Sequence, residues 1–124
     1  MLITVDLGAE VPLYQQIRDQ VVRAIAFGRL AVGEALPSTR QLGADLGINF
    51  HTLNKAYDLL RAEDFVALTR KSGAVVVPRD GPPPGFADEW AGRLRTLLAA
   101  GLAQGLSESD VLDACRRAVR GEEG

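Results

Sequence analysis

The stretch that most constrains this chain runs from Leu36 to Leu60, LPSTRQLGADLGINFHTLNKAYDLL. Leu42 and Leu46 are four apart, which puts both on one face of a helix. Gly47 and Ile48 then break the pattern, because glycine favours the position just past a helix end. Asn49 is a good N-cap for a second helix in which Leu53, Ala56, Tyr57 and Leu60 share a face. Two short helices around a glycine turn describe a helix-turn-helix, whose second helix enters the major groove of DNA. An ordinary helical hairpin in a small core fits the same spacing, and spacing alone does not separate the two.

The flanking sequence adds elements on both sides. Residues 2–6 are β-prone and short, an edge strand or an extended arm. Pro12 suits the first turn of a helix whose apolar positions are Leu13, Ile17, Val21, Ala24 and Ile25 and which stops at Gly28. Gly28, Gly33 and Pro37 punctuate a loop that tucks Leu30 and Leu36 inward. Ser38 is an N-cap, with Gln41 three residues on as its capping-box partner. After Ala62 the period changes: Phe65–Thr69, Arg70–Gly73 and Ala74–Val77 read as strand, turn, strand. A hairpin directly after a helix-turn-helix is the wing of a winged helix, and its tip carries two cations, Arg70 and Lys71. These are placed to meet phosphate, although charged turns are also commonly just solvated.

Asp80-Gly81-Pro82-Pro83-Pro84-Gly85 is a semi-rigid, extended linker. Beyond it Phe86, Trp90, Leu94, Leu97, Leu98, Gly101, Leu102 and Gly105 mark one side of a helix of about five turns. Leu106 and Ser107 form a corner. Ser107 with Asp110 is a capping box opening a last helix that carries Val111, Leu112, Cys115 and Val119. Two such helices have no core of their own. Their faces are expected to meet a second chain as a dimerisation module, packing back on the same chain being the alternative. The expected organisation is thus a winged domain over 1–79, a linker over 80–85 and a two-helix dimerisation segment over 86–124.

Composition narrows the function. The net charge of −2 counts against an indiscriminate polyanion binder. Residues 1–80 hold nine Lys/Arg and nine Asp/Glu, and residues 81–124 hold five and seven, so the N-terminal part is neutral. A local basic face remains open, with a modest salt dependence. No apolar run reaches the roughly 18 residues of a membrane span, and a signal-peptide layout is missing. The single cysteine, Cys115, cannot make an intrachain disulfide and sits in an amphipathic pattern as a small hydrophobe. A cytoplasmic location follows as an expectation. His51, the only histidine, cannot build a metal site with Cys115 alone. Glu63-Asp64 and Glu122-Glu123 are helix neighbours that point about 100° apart, a poor acid/base pair. No catalytic residue, metal or cofactor is expected, and an enzyme would need a concave polar pocket that nothing in the sequence announces.

The order Pro12-Leu-Tyr-Gln-Gln-Ile17, Gly28-Arg-Leu, Gly33, Leu36-Pro-Ser-Thr-Arg40, Leu42, Leu46-Gly-Ile48, Thr52-Leu53, Lys55-Ala-Tyr57 and Leu60 closely resembles the GntR family of bacterial transcription regulators. The asparagine after the turn, the Lys-Ala-Tyr of the second helix and the tail Gly105-Leu-Ser-Glu-Ser-Asp110 resemble its small YtrA subfamily. The resemblance implies a homodimeric repressor that binds an inverted-repeat operator in its own promoter, often that of a transport operon. It implies DNA contacts from Ser38 and Arg40, from Asn49, Phe50, His51, Thr52, Asn54 and Lys55, and from Arg70, Lys71 and Gly73 in the wing. The dimerisation residues are Phe86, Trp90, Leu94, Leu97, Leu98, Leu102, Val111, Leu112 and Cys115.

Chemistry agrees with those positions. Arg40 offers a planar fork for phosphate or a guanine edge, and Asn54 could pair an adenine edge. Asn49, His51 and Thr52 occupy a first helical turn, where side chains and backbone N–H groups meet DNA. Three positions depart from the family. Phe50 stands where Pro or Arg is common and offers apolar contact, as to a thymine methyl. Asp64 replaces a corner glycine and can take a left-handed conformation. Lys71-Ser72-Gly73 replaces a wing tip that usually has two glycines. A small-molecule effector would have to use the arm or the interdomain crevice, since no large ligand domain follows the linker. The alternative reading is a winged-helix protein-interaction module without specific DNA binding.

Overall fold

A computed structural model describes residues 3–122. In chain order it contains α1 (Leu13–Ala26), α2 (Thr39–Leu46), α3 (Phe50–Ala62), β1 (Val66–Thr69), β2 (Gly73–Val76), α4 (Phe86–Ala103) and α5 (Glu108–Val119). The chain divides into two compact units, Met1–Pro78 and Arg79–Gly124.

The first unit is a helical core with a small antiparallel wing. From α1, Ile17, Val21 and Ala24 face inward, and from α3, Leu53, Ala56 and Leu60 do so. Ile17, Val21, Leu53 and Leu60 are fully enclosed, so the helical spacing read from the sequence is the packing that forms. Leu30, Leu36, Leu42, Val66 and Val76 close the same core. Pro12 lies one residue before α1 as its N-cap, not in the first turn. Arg18 of α1 clasps Glu63 with two hydrogen bonds, at 3.0 and 2.6 Å, tying α1 to the end of α3. That bond to Glu63 raises the Arg18 pKa further, so Arg18 stays a cation.

The described part of the N-terminal segment, from Ile3 to Asp6, is an extended arm rather than a strand; Leu2 lies outside the described residues. Its backbone finds side chains in place of a neighbouring strand. Gln20 accepts from Thr4 N–H and donates to Thr4 O, and Gln16 does the same for Asp6. Two carboxamides one helical turn apart thus satisfy the arm as a ladder would.

β1 and β2 pair with Val66 opposite Val76 and Thr69 opposite Gly73. The segment read as a plain loop before α2 also joins this sheet. Ala35 bridges Val75, and backbone bonds run from Gly33 N to Val76 O, Val76 N to Glu34 O and Leu36 N to Ala74 O. Asp64, at φ 61°, makes the left-handed corner between α3 and the wing.

In the second unit α4 and α5 form a helical hairpin. α4 ends at Ala103, so Gly105 is not on its apolar side: it sits in the corner at φ 107°. Ser107 accepts from Asp110 N–H while the Asp110 carboxylate accepts from Ser107 N–H, the expected capping box. The Ser107 backbone bond holds the Asp110 carboxyl below its usual pKa. Within this unit α4 has no buried residue and α5 has one, Val111. Leu94, Leu97, Leu98, Val111 and Cys115 line an apolar groove of about 480 Å³. Phe86, Trp90, Leu102 and Leu112 are exposed and do not line it. Leu112 follows Val111 by about 100° around the helix and so points away from this groove.

Candidate nucleic-acid interface

Burial of one side of α3 decides what its other side presents. With Leu53, Ala56 and Leu60 enclosed, His51, Lys55 and Asp58 are exposed and Thr52 and Asn54 half-exposed. The start of α3 lies close to α2 because Gly43 is a glycine. A Cβ there would stand 3.0 Å from Ile48 O and 3.3 Å from Phe50 Cα. Gly47, at φ 69°, supplies the left-handed C-cap of α2 that turns the chain into α3.

Both helix starts carry side-chain caps. Ser38 Oγ accepts from Gln41 N–H at 3.1 Å, and Asn49 Oδ1 accepts from His51 N–H at 2.9 Å. These bonds occupy acceptors only, so the Ser38 hydroxyl and the Asn49 amide keep donors for an anion. The capping box expected at α2 is absent. Gln41 turns its amide forward to Asp45 at 2.8 Å instead of back to Ser38.

Around this junction three side chains lie against one another. The Arg40 guanidinium lies 4.3 Å from the Phe50 ring centroid, and the Phe50 and His51 rings are 4.3 Å apart at 33°. Lys55 takes a different course. Its ammonium sits 4.0 Å from the ring centroid of Tyr14, so it leans toward α1.

A second feature is a groove of about 560 Å³ between α3 and the wing. It brings Ser38, Asn54 and Gly73 together, while Arg40, Asn49, Phe50, His51, Thr52, Lys55, Arg70 and Lys71 lie outside its lining. Tyr57 and Arg61 also line it and were missed from the sequence. Arg61 is seven residues from Asn54, two turns along the same face, and that spacing could have found it. It is held by Asp58 at 2.9 Å. Tyr57 donates its hydroxyl to Pro37 O at 2.7 Å, bracing α3 against the segment that enters α2. Burial pushes the Tyr57 phenol up to about 12.

At the wing tip Arg70, Lys71 and Ser72 form a three-residue turn, all exposed. Gly73, at φ 68°, alone takes the left-handed position of this turn. Thr69 pins the turn: Ser72 N–H donates to its Oγ1, and its hydroxyl donates to Gly73 O. Among the described residues no cluster of three or more His, Cys, Asp or Glu could hold a metal, and no helix is long and apolar enough to cross a membrane.

This is a winged helix-turn-helix, and residues 13–76 match the model of the bacterial regulatory proteins of the gntR family. The chain belongs to the GntR family. It is similar to the HTH-type transcriptional regulator Rv1152 of Mycobacterium tuberculosis, 32% identical over 87% of this chain and 86% of that one. It is also similar in structure to YtrA of Sulfolobus acidocaldarius, a GntR-family transcription factor. That chain is 35% identical, has a TM-score of 0.60, and the match covers 94% of this chain and 96% of that one. A transcriptional antiterminator from Listeria monocytogenes shares the fold at a TM-score of 0.85 over all of this chain and 96% of its own, with 20% identity. As a GntR member the protein is a transcriptional regulator with a DNA-binding helix-turn-helix.

Proposed function

We propose that this GntR protein is a cytoplasmic, homodimeric repressor that binds an inverted-repeat operator in its own promoter. The observation that supports the reading is the junction of α2 and α3. There Ser38, Arg40, Asn49 and His51 are exposed beside two capped helix starts, and His51 lies on the side of α3 opposite its buried residues. Helix starts favour anions through their N–H groups and dipoles. A recognition helix docks in the major groove with its N-terminal residues at the base edges. Thr52 and Asn54 complete that end, Phe50 and Lys55 lie beside it, and Arg70, Lys71 and Gly73 reach the flanking backbone from the wing. The apolar faces of α4 and α5 hold the two copies together, with Phe86, Trp90, Leu94, Leu97, Leu98, Leu102, Val111, Leu112 and Cys115 at the seam. Two recognition helices then meet successive major grooves, about one helical turn apart.

The test is a gel-shift titration of the full chain against DNA from upstream of its own gene, at fixed salt. Specific binding is expected, and Arg40→Ala is expected to weaken it by roughly 1–3 kcal/mol. An unchanged affinity would remove Arg40 from the interface. Equal affinity for upstream and unrelated DNA would sink the operator reading.

A further inference from the structure

We propose that Phe50 is a positioning residue: its ring holds the Arg40 guanidinium flat, so that Arg40 meets a bidentate acceptor on DNA with its fork already oriented. The proposal rests on the DNA-binding reading above and assigns Phe50 a role through Arg40 instead of a contact of its own.

The geometry is built from both sides. Phe50 cannot drift, because its backbone is pressed against Gly43, where even a Cβ would stand 3.3 Å from Phe50 Cα and 3.4 Å from Phe50 Cβ. Its ring is half-buried and has the His51 ring beside it at 4.3 Å. Arg40, in the first turn of α2, makes no ion pair with a carboxylate among the described residues. Its guanidinium instead lies over the Phe50 ring at 4.3 Å, well inside the roughly 6 Å over which a ring attracts a cation.

A guanidinium that stacks spends its face and keeps its edge. The five N–H donors lie in the plane of the group, so a ring against one face leaves all of them for hydrogen bonds. An unrestrained arginine loses side-chain entropy when it is fixed by a ligand. A ring that narrows its rotamers beforehand removes part of that loss, which raises affinity without adding a contact to DNA. The acceptor chemistry that suits such a fork is a pair of oxygens or an oxygen and a nitrogen in one plane, as on a phosphate or the O6/N7 edge of guanine.

The experiment is a double-mutant cycle on the full chain, read by fluorescence anisotropy against its upstream DNA at fixed salt. NMR of the free protein accompanies it. In the free protein the Arg40 side-chain protons are expected upfield from the Phe50 ring current. Their absence from that position in the native protein would overturn the stack whatever the binding data show. Phe50→Leu, which keeps an apolar side chain and loses the ring, is expected to weaken binding about two- to fivefold. Phe50→Tyr, which keeps the ring, is expected to recover most of that loss. In an Arg40→Ala background Phe50→Leu is expected to change nothing further. An equal loss in that background would show that Phe50 acts on DNA by itself and would overturn the proposal alone. Failure of the native protein to bind specifically would overturn the operator reading and this proposal together. If the acceptor is phosphate, Arg40→Ala lowers the salt slope by about one; if guanine, it relaxes discrimination at one base pair.

Discussion

Tyr57 shows how one residue couples the reading surface to the scaffold beneath it. Its hydroxyl donates to Pro37 O at 2.7 Å, one residue before the Ser38 cap. Burial raises its pKa to about 12, against roughly 10 in an unfolded chain. The donated hydrogen bond acts in the same sense, since only the protonated phenol can make it. Between those two values the unfolded state has lost the proton and the folded state keeps it, so stability falls as pH rises. Below about 10 the contribution is complete and independent of pH. An ultraviolet titration of tyrosinate is expected to show a late component near 12 that Tyr57→Phe removes. Tyr57→Phe should also flatten the alkaline fall in stability, at a loss of about 1 kcal/mol near neutral pH for the missing bond. A native titration with no late component would show that the phenol is not protected in this way.

At the scale of elements, the closeness of α2 and α3 rests on Gly43. An alanine in the middle of a helix is ordinarily worth about 1 kcal/mol over glycine. Here the added Cβ would stand 3.0 Å from the Ile48 carbonyl oxygen and 3.3 Å from Phe50 Cα, both backbone atoms that cannot swing away. Overpacking of this kind costs about 1–3 kcal/mol and outweighs the propensity gain. Gly43→Ala is therefore expected to lower stability by up to about 2 kcal/mol in a urea titration, and a rise would mean that the two helices are not held this closely. Nothing in the sequence announces this role, since a glycine inside a helical pattern reads only as a weak point. The caps were legible because each is a side chain bonded to a backbone two or three residues away, as at Ser38, Asn49 and Ser107. Gln41 was misread because its amide has two targets of similar reach, Ser38 behind and Asp45 ahead, and the spacing does not rank them. The third partner of the wing stayed hidden for another reason. Residues 33–36 pair with residues some forty positions further on, and a segment containing Gly33 and Glu34 carries no alternation to signal a strand. Among the candidate contacts, exposure on α3 followed from helical period, whereas the Arg40–Phe50 stack and the lean of Lys55 onto Tyr14 depend on how helices cross.

At the scale of the whole molecule, the second unit is the element that most needs a partner. Ordering a residue costs about 1–2 kcal/mol of backbone entropy, and among the described residues this unit encloses only Val111 in return. Trp90 is 53% exposed and Leu97 69%, and Leu97 lines an apolar groove together with Leu94, Leu98 and Cys115. A second copy of the same hairpin covers such a surface with a surface of the same kind, as a two-fold interface does. Leu97→Glu separates the two possibilities. If Leu97 stays in water, the change is worth no more than about 0.5 kcal/mol and the sedimentation coefficient is unaltered. If it lies in a dimer seam, a buried unpaired carboxylate splits the dimer, and sedimentation velocity is expected to show monomers at concentrations where the native chain is dimeric. Deleting 86–124 should do the same, and a truncated chain that remains dimeric would place the interface elsewhere. The proposed dimer would also bind DNA differently from a monomer, and the same variant measures the difference. Once one wing domain is bound, its tethered twin faces the second half-site at an effective concentration near the millimolar range. The native dimer is therefore expected to bind a full inverted repeat at least about a hundredfold more tightly than a single half-site. The Leu97→Glu monomer should bind both with the affinity of one half-site, because its reading surface is untouched and only the tether is lost.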